Sequence, residues 1–299
     1  MNASAARASS SPAPLLDMHD VSILIGDKQV VENARLTVRA GETVGLVGES
    51  GSGKSMMCRA ATGLLGPIGG RVSHGSLLIG GQSFIGASTP DWRKIRGHKI
   101  GYVPQASLAG LDPLMRIGSQ LRETIRVLDR ASDARARALE LLEVVRINQP
   151  DVVLRAYPHQ LSGGMRQRVM IALALAGRPE LIIADEATTA LDATVQKAVL
   201  TLLRDVQQET GMAMIVVTHD IGVVRQISNR LYVMKDGVTV ESGPTDSVLR
   251  APRQEYTKML LNADPSRHAL SPAAEENTDQ ARASNVSLAT VETDGSAHE

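Results

Sequence analysis

The sequence predicts an α/β fold built around a mostly parallel sheet, and two patterns support this prediction. Short apolar runs of strand character alternate along the chain with segments whose apolar residues recur at helical spacing. Polar or glycine-rich sequences follow two of the apolar runs directly, at 48–55 and at 185–186. Because ligands of open α/β sheets bind at the carboxyl ends of the strands, we expect these two segments to carry functional residues.

The predicted elements alternate in type along the chain. Strands are predicted from apolar runs at 42–47, 99–103, 181–184 and 212–217, and as a hairpin, 231–234 with 238–241, that turns at Gly237. Helices are predicted over 55–65, over 133–147 with Ser132 or Asp133 as the N-cap, and from 195 to the glycine at 211. The sequence contains no internal repeat, so we expect a single domain of this kind.

Composition excludes several classes of protein. Lys+Arg and Asp+Glu both number 32, so no long-range field attracts a nucleic-acid backbone and we expect no nucleic-acid partner. The single cysteine, Cys58, cannot form a disulfide framework or a multi-cysteine metal site, and we interpret it as a core residue. No apolar run reaches the length of about 18 residues that a membrane span needs, so we expect membrane contact through a partner. The polar stretches 1–14 and 266–299 are predicted to be disordered tails.

A glycine-rich segment between the first predicted strand and helix has the pattern of a phosphate-binding P-loop. Glycines let successive backbone N–H groups face one anion, and the following helix adds its positive end. Lys54 can reach the β- and γ-phosphates, and Ser55 offers a hydroxyl to Mg²⁺. A flexible glycine turn before a lysine has a similar composition, but the strand–loop–helix context favours the phosphate site. The candidate nucleotide-binding residues are Gly48, Glu49, Ser50, Gly51, Ser52, Gly53, Lys54 and Ser55.

Two carboxylates, Asp185 and Glu186, follow a buried apolar strand. Acids after a strand are most often solvated loop residues, but the P-loop upstream changes the interpretation. Asp185 is suited to hold Mg²⁺, and Glu186 is suited to polarise the water that attacks the γ-phosphate of ATP.

A second glycine-rich segment, 161–168, is Leu-Ser-Gly-Gly-Met-Arg-Gln-Arg. Ser162 is a helix N-cap candidate, and Gly163 and Gly164 open the backbone after it. Residue chemistry alone leaves an ordinary capped helix and a second anion site both open.

Together with the P-loop, the segment 161–168 makes the sequence resemble the ATP-binding-cassette (ABC) ATPases. Leu161–Met165 is similar to the family's signature loop, and Gln105, after the strand end at 102–104, is similar to its Q-loop glutamine. Ala190-Leu191-Asp192 resembles the D-loop, and His219 in Thr218-His219-Asp220 resembles the H-loop histidine. The resemblance implies a P-loop NTPase cassette with a mostly parallel core sheet, an antiparallel β subdomain and a helical subdomain at about 106–160.

The resemblance also implies a mechanism in which two cassettes close head-to-tail around nucleotide. Ser162 and Gly164 would contact the γ-phosphate bound by the partner, and Asp192 would lie in the D-loop. His219 would stabilise transition-state charge in its own subunit, although a surface histidine beside an acid is the simpler alternative. Gln105 would sense Mg²⁺ and the attacking water. ATP and Mg²⁺ are thus the expected ligands, with Glu186, His219 and Gln105 as catalytic residues.

Two positions depart from the family's pattern. The family usually places an aromatic residue that stacks on adenine about 23 positions before the P-loop, where this chain has Ile25. Ala187 stands where the family commonly has proline, which we expect to perturb the loop slightly and leave the chemistry unchanged.

The segment 252–265 resembles the C-terminal extension of the oligopeptide, dipeptide and nickel importer branch, with Gln254-Glu255 in place of the usual His-Pro. A docking helix with Tyr256, Leu260 and Leu261 packed inward explains the same pattern. We expect an ABC domain at 15–250, followed by the extension at 251–265. The branch implies a second ATPase, two membrane permeases and an extracytoplasmic solute-binding protein, with this chain peripheral at the cytoplasmic face of the inner membrane.

Other branches of the family have functions different from import. The importer branch also resembles the accessory ATPases of phosphonate breakdown, which need no permease. DNA-repair and chromosome-organising relatives place coiled coils or zinc modules between the P-loop and the signature, whereas the segment between Ser55 and Leu161 has no heptads or cysteine pairs. Translation factors of the family carry two cassettes, and this chain has one.

Overall fold

The strands of the computed structural model, which describes residues 13–105, 110–130, 133–187 and 193–263, form two sheets. One sheet has six strands in the order β10-β9-β3-β8-β7-β6, and the other has four in the order β2-β1-β4-β5. Their bounds are β1 Leu16–Ile25, β2 Lys28–Val38, β3 Thr43–Val47, β4 Gly70–Ile79, β5 Gln82–Ser83, β6 Ile100–Val103, β7 Leu181–Asp185, β8 Ala213–Thr218, β9 Arg230–Lys235 and β10 Val238–Pro244.

The helices of the described ranges connect these strands and extend beyond them at the C-terminal side. Their bounds are α1 Lys54–Thr62, α2 Thr89–Ile95, α3 Ile117–Leu128, α4 Ala134–Val144, α5 Pro150–Arg155, α6 Gly163–Leu175, α7 Ala193–Thr210, α8 Ile221–Ile227, α9 Thr245–Arg250 and α10 Glu255–Asn262. Among these helices, none has the combined length and apolarity that crossing a bilayer requires.

The pairing of the strands confirms the predicted fold class. Strands β9, β3, β8, β7 and β6 run parallel, and β10 joins this sheet antiparallel. Strands β1, β2, β4 and β5 form an antiparallel sheet. Strands β3, β7 and β8 are buried along their whole lengths, as expected for a parallel sheet covered on both faces.

Three clusters of buried apolar side chains surround the core sheet. One packs α3 to α7 against the sheet, and a second packs α1 and the antiparallel sheet against it. The third cluster joins the end of β3 to α8, β9, α9 and α10, so the C-terminal helices belong to the core.

Several predicted element bounds require correction. The helix predicted over 55–65 starts at Lys54 and ends at Thr62, because Gly63 turns the chain with φ 66°. A Cβ at Gly63 would lie 2.2 Å from the Trp92 ring, so this position requires glycine. The helix predicted over 133–147 ends at Val144, ahead of Arg146, which has φ 57°.

The other bounds differ less from the predictions. The 212–217 strand is shifted by one residue, to Ala213–Thr218, and the hairpin strands are longer than predicted. Asp133 is the N-cap of α4, where its side chain accepts from the amides of Arg135 and Ala136. Gly211 does follow the end of α7.

Some predicted features lie outside the described residues. These are the D-loop residue Asp192, the alternative N-cap Ser132, most of the tail 1–14 and the whole of the tail 266–299.

Candidate active site

The phosphate loop connects the end of β3 to the start of α1, and its glycines are required by geometry. Gly48 has φ 152°, and a Cβ there would lie 2.1 Å from the carbonyl oxygen of Met234 on β9. Gly53 has φ 98° and is the N-cap of α1 without a side-chain cap hydrogen bond, so no side chain competes with an anion for the first-turn amides. Ser50 and Gly51 are exposed at the tip of the loop, where Gly51 has φ 82°.

Lys54 is buried inside this loop, with 4% of its surface exposed. Its Nζ donates to the carbonyl oxygens of Gly48 and Glu49, both at 2.8 Å, and lies 3.9 Å from Oε1 of Glu186. Burial lowers the pKa of Lys54, while the Glu186 and Asp185 carboxylates oppose that lowering. The loop therefore holds a desolvated ammonium group beside the amides that can receive phosphate oxygens.

Two other contacts fix the base of the loop. The amide of Gly237, in the turn between β9 and β10, donates to the Ser52 carbonyl oxygen at 3.1 Å. The Glu49 amide donates to the Tyr256 hydroxyl at 3.1 Å and so points away from the interior of the loop.

Asp185 ends β7 beside the loop and is 3% exposed. Its Oδ1 accepts from the Ser55 hydroxyl at 3.0 Å, and its Oδ2 accepts from the Tyr102 hydroxyl at 2.9 Å. Burial raises the pKa of Asp185, and the two hydrogen bonds oppose that rise. The pKa of Tyr102 is raised by burial and then by the charge of Asp185, so the hydroxyl remains a donor.

The pair Ser55 and Asp185 fits a small divalent cation. A hydroxyl and a carboxylate are hard oxygen donors of the type that Mg²⁺ prefers. The described ranges contain no group of three or more His, Cys, Asp or Glu side chains arranged for a metal. The amide oxygen of Gln105, the third residue expected at Mg²⁺, is a donor of the same hard type, and phosphate oxygens and water could complete the set.

Glu186 is the first residue after β7 and has φ 45°, an uncommon conformation for a non-glycine residue. Its amide donates to the carbonyl of Val217 on β8 at 3.1 Å, which fixes the turn. Its Oε2 accepts from Gln105 Nε2 at 2.6 Å, and its Oε1 faces Lys54. The structure thus brings together Lys54, Gln105 and Glu186, which the sequence separates widely.

His219 is exposed at the carboxyl end of β8, the strand between β3 and β7. The next residue, Asp220, caps α8 by accepting from the Val223 amide at 3.2 Å. His219 therefore lies on the same edge of the sheet as the phosphate loop. No hydrogen bond or ion pair within the described ranges joins it to Lys54 or Glu186.

The signature segment begins a helix, as the N-cap prediction requires. Ser162 is exposed and its hydroxyl accepts from the Met165 amide at 3.3 Å, while Gly163 is the first residue of α6. A Cβ at Gly164 would lie 2.6 Å from Val195 Cγ1 on α7, so a larger residue would collide with that helix. In the described part of the chain, no hydrogen bond joins this segment to the phosphate loop.

The two departures from the family pattern have different surroundings. Ile25 ends β1 at its turn into β2 and is partly exposed. Val31 on β2 lies close to the phosphate loop, since a Cβ added to Gly53 would be 3.1 Å from a methyl carbon of Val31. Ala187 is 6% exposed and packs in the cluster of α3 to α7.

Tyr102 and Tyr256 are the site contacts that the sequence analysis missed. Tyr102 lies on β6 opposite Ile183 of β7, and β7 is the adjacent strand that ends at Asp185. The signal available for Tyr102 was a polar aromatic residue near the end of a strand. No local signal connected Tyr256 to a loop 207 positions earlier in the chain.

Comparison with known proteins gives consistent matches. The family model described as "ABC transporter" matches residues 31–189. The oligopeptide transport ATP-binding protein OppD of Lactococcus lactis subsp. cremoris is 41% identical over 246 residues, covering 82% of this chain and 72% of OppD. The glutathione import ATP-binding protein GsiA of Salmonella choleraesuis is 43% identical over 247 residues, which cover 80% of this chain and 40% of GsiA. A solved dimeric post-hydrolysis structure of the ATP-binding cassette MJ0796, bound to ADP and Pi, superposes with TM-score 0.68 at 31% identity over 77% of this chain and 98% of that cassette.

Proposed function

The chain belongs to the ABC transporter family of ATP-binding proteins, and from this premise we propose that it hydrolyses ATP to energise a peptide importer. The observation that carries the proposal is the convergence of Lys54, Gln105, Asp185 and Glu186 at one edge of the core sheet. OppD and GsiA, named for oligopeptide transport and glutathione import, favour a peptide as the transported solute.

Lys54 binds the phosphates in this proposal. Its ammonium protons are directed to the Gly48 and Glu49 carbonyls, and phosphate oxygens at the loop would compete for them as stronger, charged acceptors. The amides at the start of α1 add the positive end of a helix to the same position. Ser50, Gly51, Ser52 and Gly53 supply the backbone that surrounds the phosphates.

Ser55 and Asp185 would hold Mg²⁺ through their oxygen atoms. When bound, the ion neutralises charge on the phosphates. Tyr102 orients the Asp185 carboxylate from its other side, as groups around a metal ligand commonly do.

Glu186 positions and polarises the attacking water. Its carboxylate is fixed by the Gln105 side chain, so both groups can face the same water molecule at the γ-phosphate. His219, at the neighbouring strand end, would donate a hydrogen bond to the γ-phosphate as negative charge develops there.

A second cassette completes the site in this proposal. The signature residues Ser162, Gly163 and Gly164 start α6 at an exposed surface, and Asp192 belongs to the D-loop sequence. The likeness to a dimeric cassette structure supports a dimer. Ser162 and Gly164 of one subunit would then contact the γ-phosphate held by the other.

The helical subdomain, predicted at about 106–160, offers a surface for a permease. Leu114, Val127 and Val152 are exposed apolar side chains there, with 85%, 68% and 60% of their surfaces accessible. A groove of about 530 Å³ lies next to Val127, between α3 and the sheet, and includes Tyr102 in its lining. We propose that two membrane permeases dock on two cassettes at the cytoplasmic face of the inner membrane, and that an extracytoplasmic protein delivers the solute.

The alternative, an accessory ATPase of phosphonate breakdown, gains no support from these observations. OppD and GsiA are both named as transport or import subunits.

Reconstitution separates the two functions. The chain would be reconstituted in proteoliposomes with the permeases and the binding protein of a peptide importer, and ATP-dependent uptake of a labelled peptide would be measured. Uptake that requires ATP and is lost with Glu186→Gln supports the importer. ATP hydrolysis that proceeds identically without permeases, with no uptake of any peptide tested, contradicts it.

A further inference from the structure

We infer that Tyr256, on the C-terminal helix α10, is a positioning residue that orients the phosphate loop for ATP. This inference rests on the proposed function, because it assigns Tyr256 to the ATP site described above. Tyr256 would act through the backbone of Glu49 and would not touch nucleotide itself.

The geometry centres on one peptide unit, formed by the carbonyl group of Gly48 and the amide of Glu49. Lys54 Nζ donates to the Gly48 carbonyl oxygen at 2.8 Å, and the Glu49 amide donates to the Tyr256 hydroxyl oxygen at 3.1 Å. In a planar trans peptide the C=O and N–H bonds point in opposite directions. Lys54 and Tyr256 therefore hold the same peptide plane from opposite sides.

Gly48 allows this peptide unit more rotation than a larger residue would. With φ 152° and no Cβ, Gly48 leaves its peptide unit free to rotate where a larger residue would restrict it. Rotation of the unit would turn the carbonyl oxygen away from Lys54 and change where the ammonium points. The Tyr256 hydroxyl opposes that rotation.

The surroundings hold Tyr256 firmly enough for this role. Tyr256 is 8% exposed and packs in the cluster that also contains Val47, the last residue before the loop. Lys235 Nζ lies 5.1 Å from the centre of the Tyr256 ring, within the range of a cation–π contact. Burial raises the pKa of Tyr256, so the Glu49 amide donates to a neutral hydroxyl at physiological pH.

The helix that carries Tyr256 is itself anchored to the core sheet. The Glu241 carboxylate on β10 accepts from the amides of Arg253 and Gln254 at 2.8 and 3.1 Å, directly before α10. The C-terminal segment is thus linked through Tyr256 to the loop that binds phosphate, and its docking becomes a condition for full ATP affinity.

Tyr256→Phe tests the inference because it removes the hydroxyl and keeps the ring. Tyr232→Phe is the matched control, since the Tyr232 hydroxyl also accepts a backbone amide, from Thr37 at 3.1 Å, and Tyr232 is 5% exposed. We expect Tyr256→Phe to raise both the dissociation constant and the KM for ATP by about three- to tenfold, the effect of one hydrogen bond, with kcat nearly unchanged. Tyr232→Phe should cause a similar fall in Tm and leave ATP binding at the wild-type level.

Hydrogen exchange of the segment 48–53 gives a second readout that needs no activity. The Glu49 amide should exchange faster in Tyr256→Phe than in Tyr232→Phe. Equal ATP affinity in both variants, or unchanged exchange at Glu49, would overturn the inference. A wild-type chain that bound no ATP would instead contradict the proposed function.

Discussion

Gln105 donates a hydrogen bond to Glu186 at 2.6 Å, and this contact joins two residues that are 81 positions apart in the chain. Gln105 follows β6, and Glu186 follows the adjacent strand β7. The other Glu186 oxygen lies 3.9 Å from Lys54 in the phosphate loop. The carboxylate assigned to water activation is therefore fixed between the residue proposed to sense water and the residue proposed to hold phosphate.

Glu186→Gln should abolish turnover and retain ATP binding. The amide keeps the size of the side chain but cannot act as a general base, and loss of such a group typically costs about 10²–10⁴-fold in rate. Steady-state ATP hydrolysis and ATP binding are the measurements, with size-exclusion chromatography to detect a trapped dimer.

Glu180→Gln is the control for that experiment. Glu180 precedes the same strand at its opposite end, and its side chain is 53% exposed near Lys99. The Glu180→Gln variant should hydrolyse ATP at the wild-type rate. Normal hydrolysis by Glu186→Gln would remove Glu186 from its assigned role.

Tyr102→Phe should increase the Mg²⁺ concentration needed for half-maximal ATP hydrolysis. The variant removes the hydrogen bond that orients Asp185, and loss of a group that orients a metal ligand costs about 10-fold or more in metal affinity. Titrating hydrolysis with MgCl₂ at a fixed ATP concentration measures the effect. Tyr232→Phe should leave the titration unchanged, and an identical shift in both variants would contradict the role of Tyr102.

Glu241→Gln should loosen the C-terminal helix in a pH-dependent manner. Burial alone would raise the pKa of Glu241, but the hydrogen bonds that its carboxylate accepts leave the pKa below its ordinary value of 4.5. A lowered pKa in the folded state means that the carboxylate stabilises the fold above pH 4.5 and that this contribution is lost as the pH falls through the folded-state pKa.

Unfolding measurements at several pH values test that expectation. The variant should be less stable than the wild type at pH 7, by about 1 kcal/mol, since hydrogen bonds to an ionised group are lost. The difference in the free energy of unfolding should shrink below pH 4.5. A difference that stays constant between pH 7 and pH 3 would show that the charge of Glu241 contributes nothing.

Base selectivity should be modest because Ile25 replaces the usual stacking aromatic. The aromatic side chains of the chain have partners elsewhere, and none of these contacts is with Ile25. The contacts are Phe84 with Trp92, Tyr102 with Asp185, Tyr157 with His159, Tyr232 with Thr37 and Tyr256 with Glu49. An aliphatic contact distinguishes adenine from guanine weakly, so competition of GTP against labelled ATP should show less than about a tenfold preference. A hundredfold preference for ATP would contradict this prediction, and Ile25→Tyr should increase ATP affinity.

The sequence predicted those parts of the site that depend on local spacing. The loop 48–55 and the acids 185–186 each follow a buried strand, and Ser162 caps a helix as its position before two glycines indicated. A turn or a helix start depends on a few consecutive residues, so local patterns describe it well.

The sequence could not predict the contacts that depend on the packing of distant segments. Tyr102 reaches Asp185 because β6 lies next to β7, and Tyr256 reaches Glu49 because α10 returns to the end of β3. None of these neighbours follows from periodicity along the chain. The early end of α1, by contrast, had a local signal, because Gly63 is its C-cap with φ 66°.

The central claim is that Lys54 and the loop around it bind the phosphates of ATP. Binding of ATP to the wild type, to Lys54→Ala and to Lys94→Ala, by isothermal titration calorimetry with MgCl₂, tests it most directly; Lys94 is the control because its side chain is 77% exposed on α2. We predict that ATP binds the wild type and Lys94→Ala equally and binds Lys54→Ala at least about tenfold more weakly, since a charge-assisted contact is lost. Equal affinity in all three proteins, or no ATP binding to the wild type, would contradict the account.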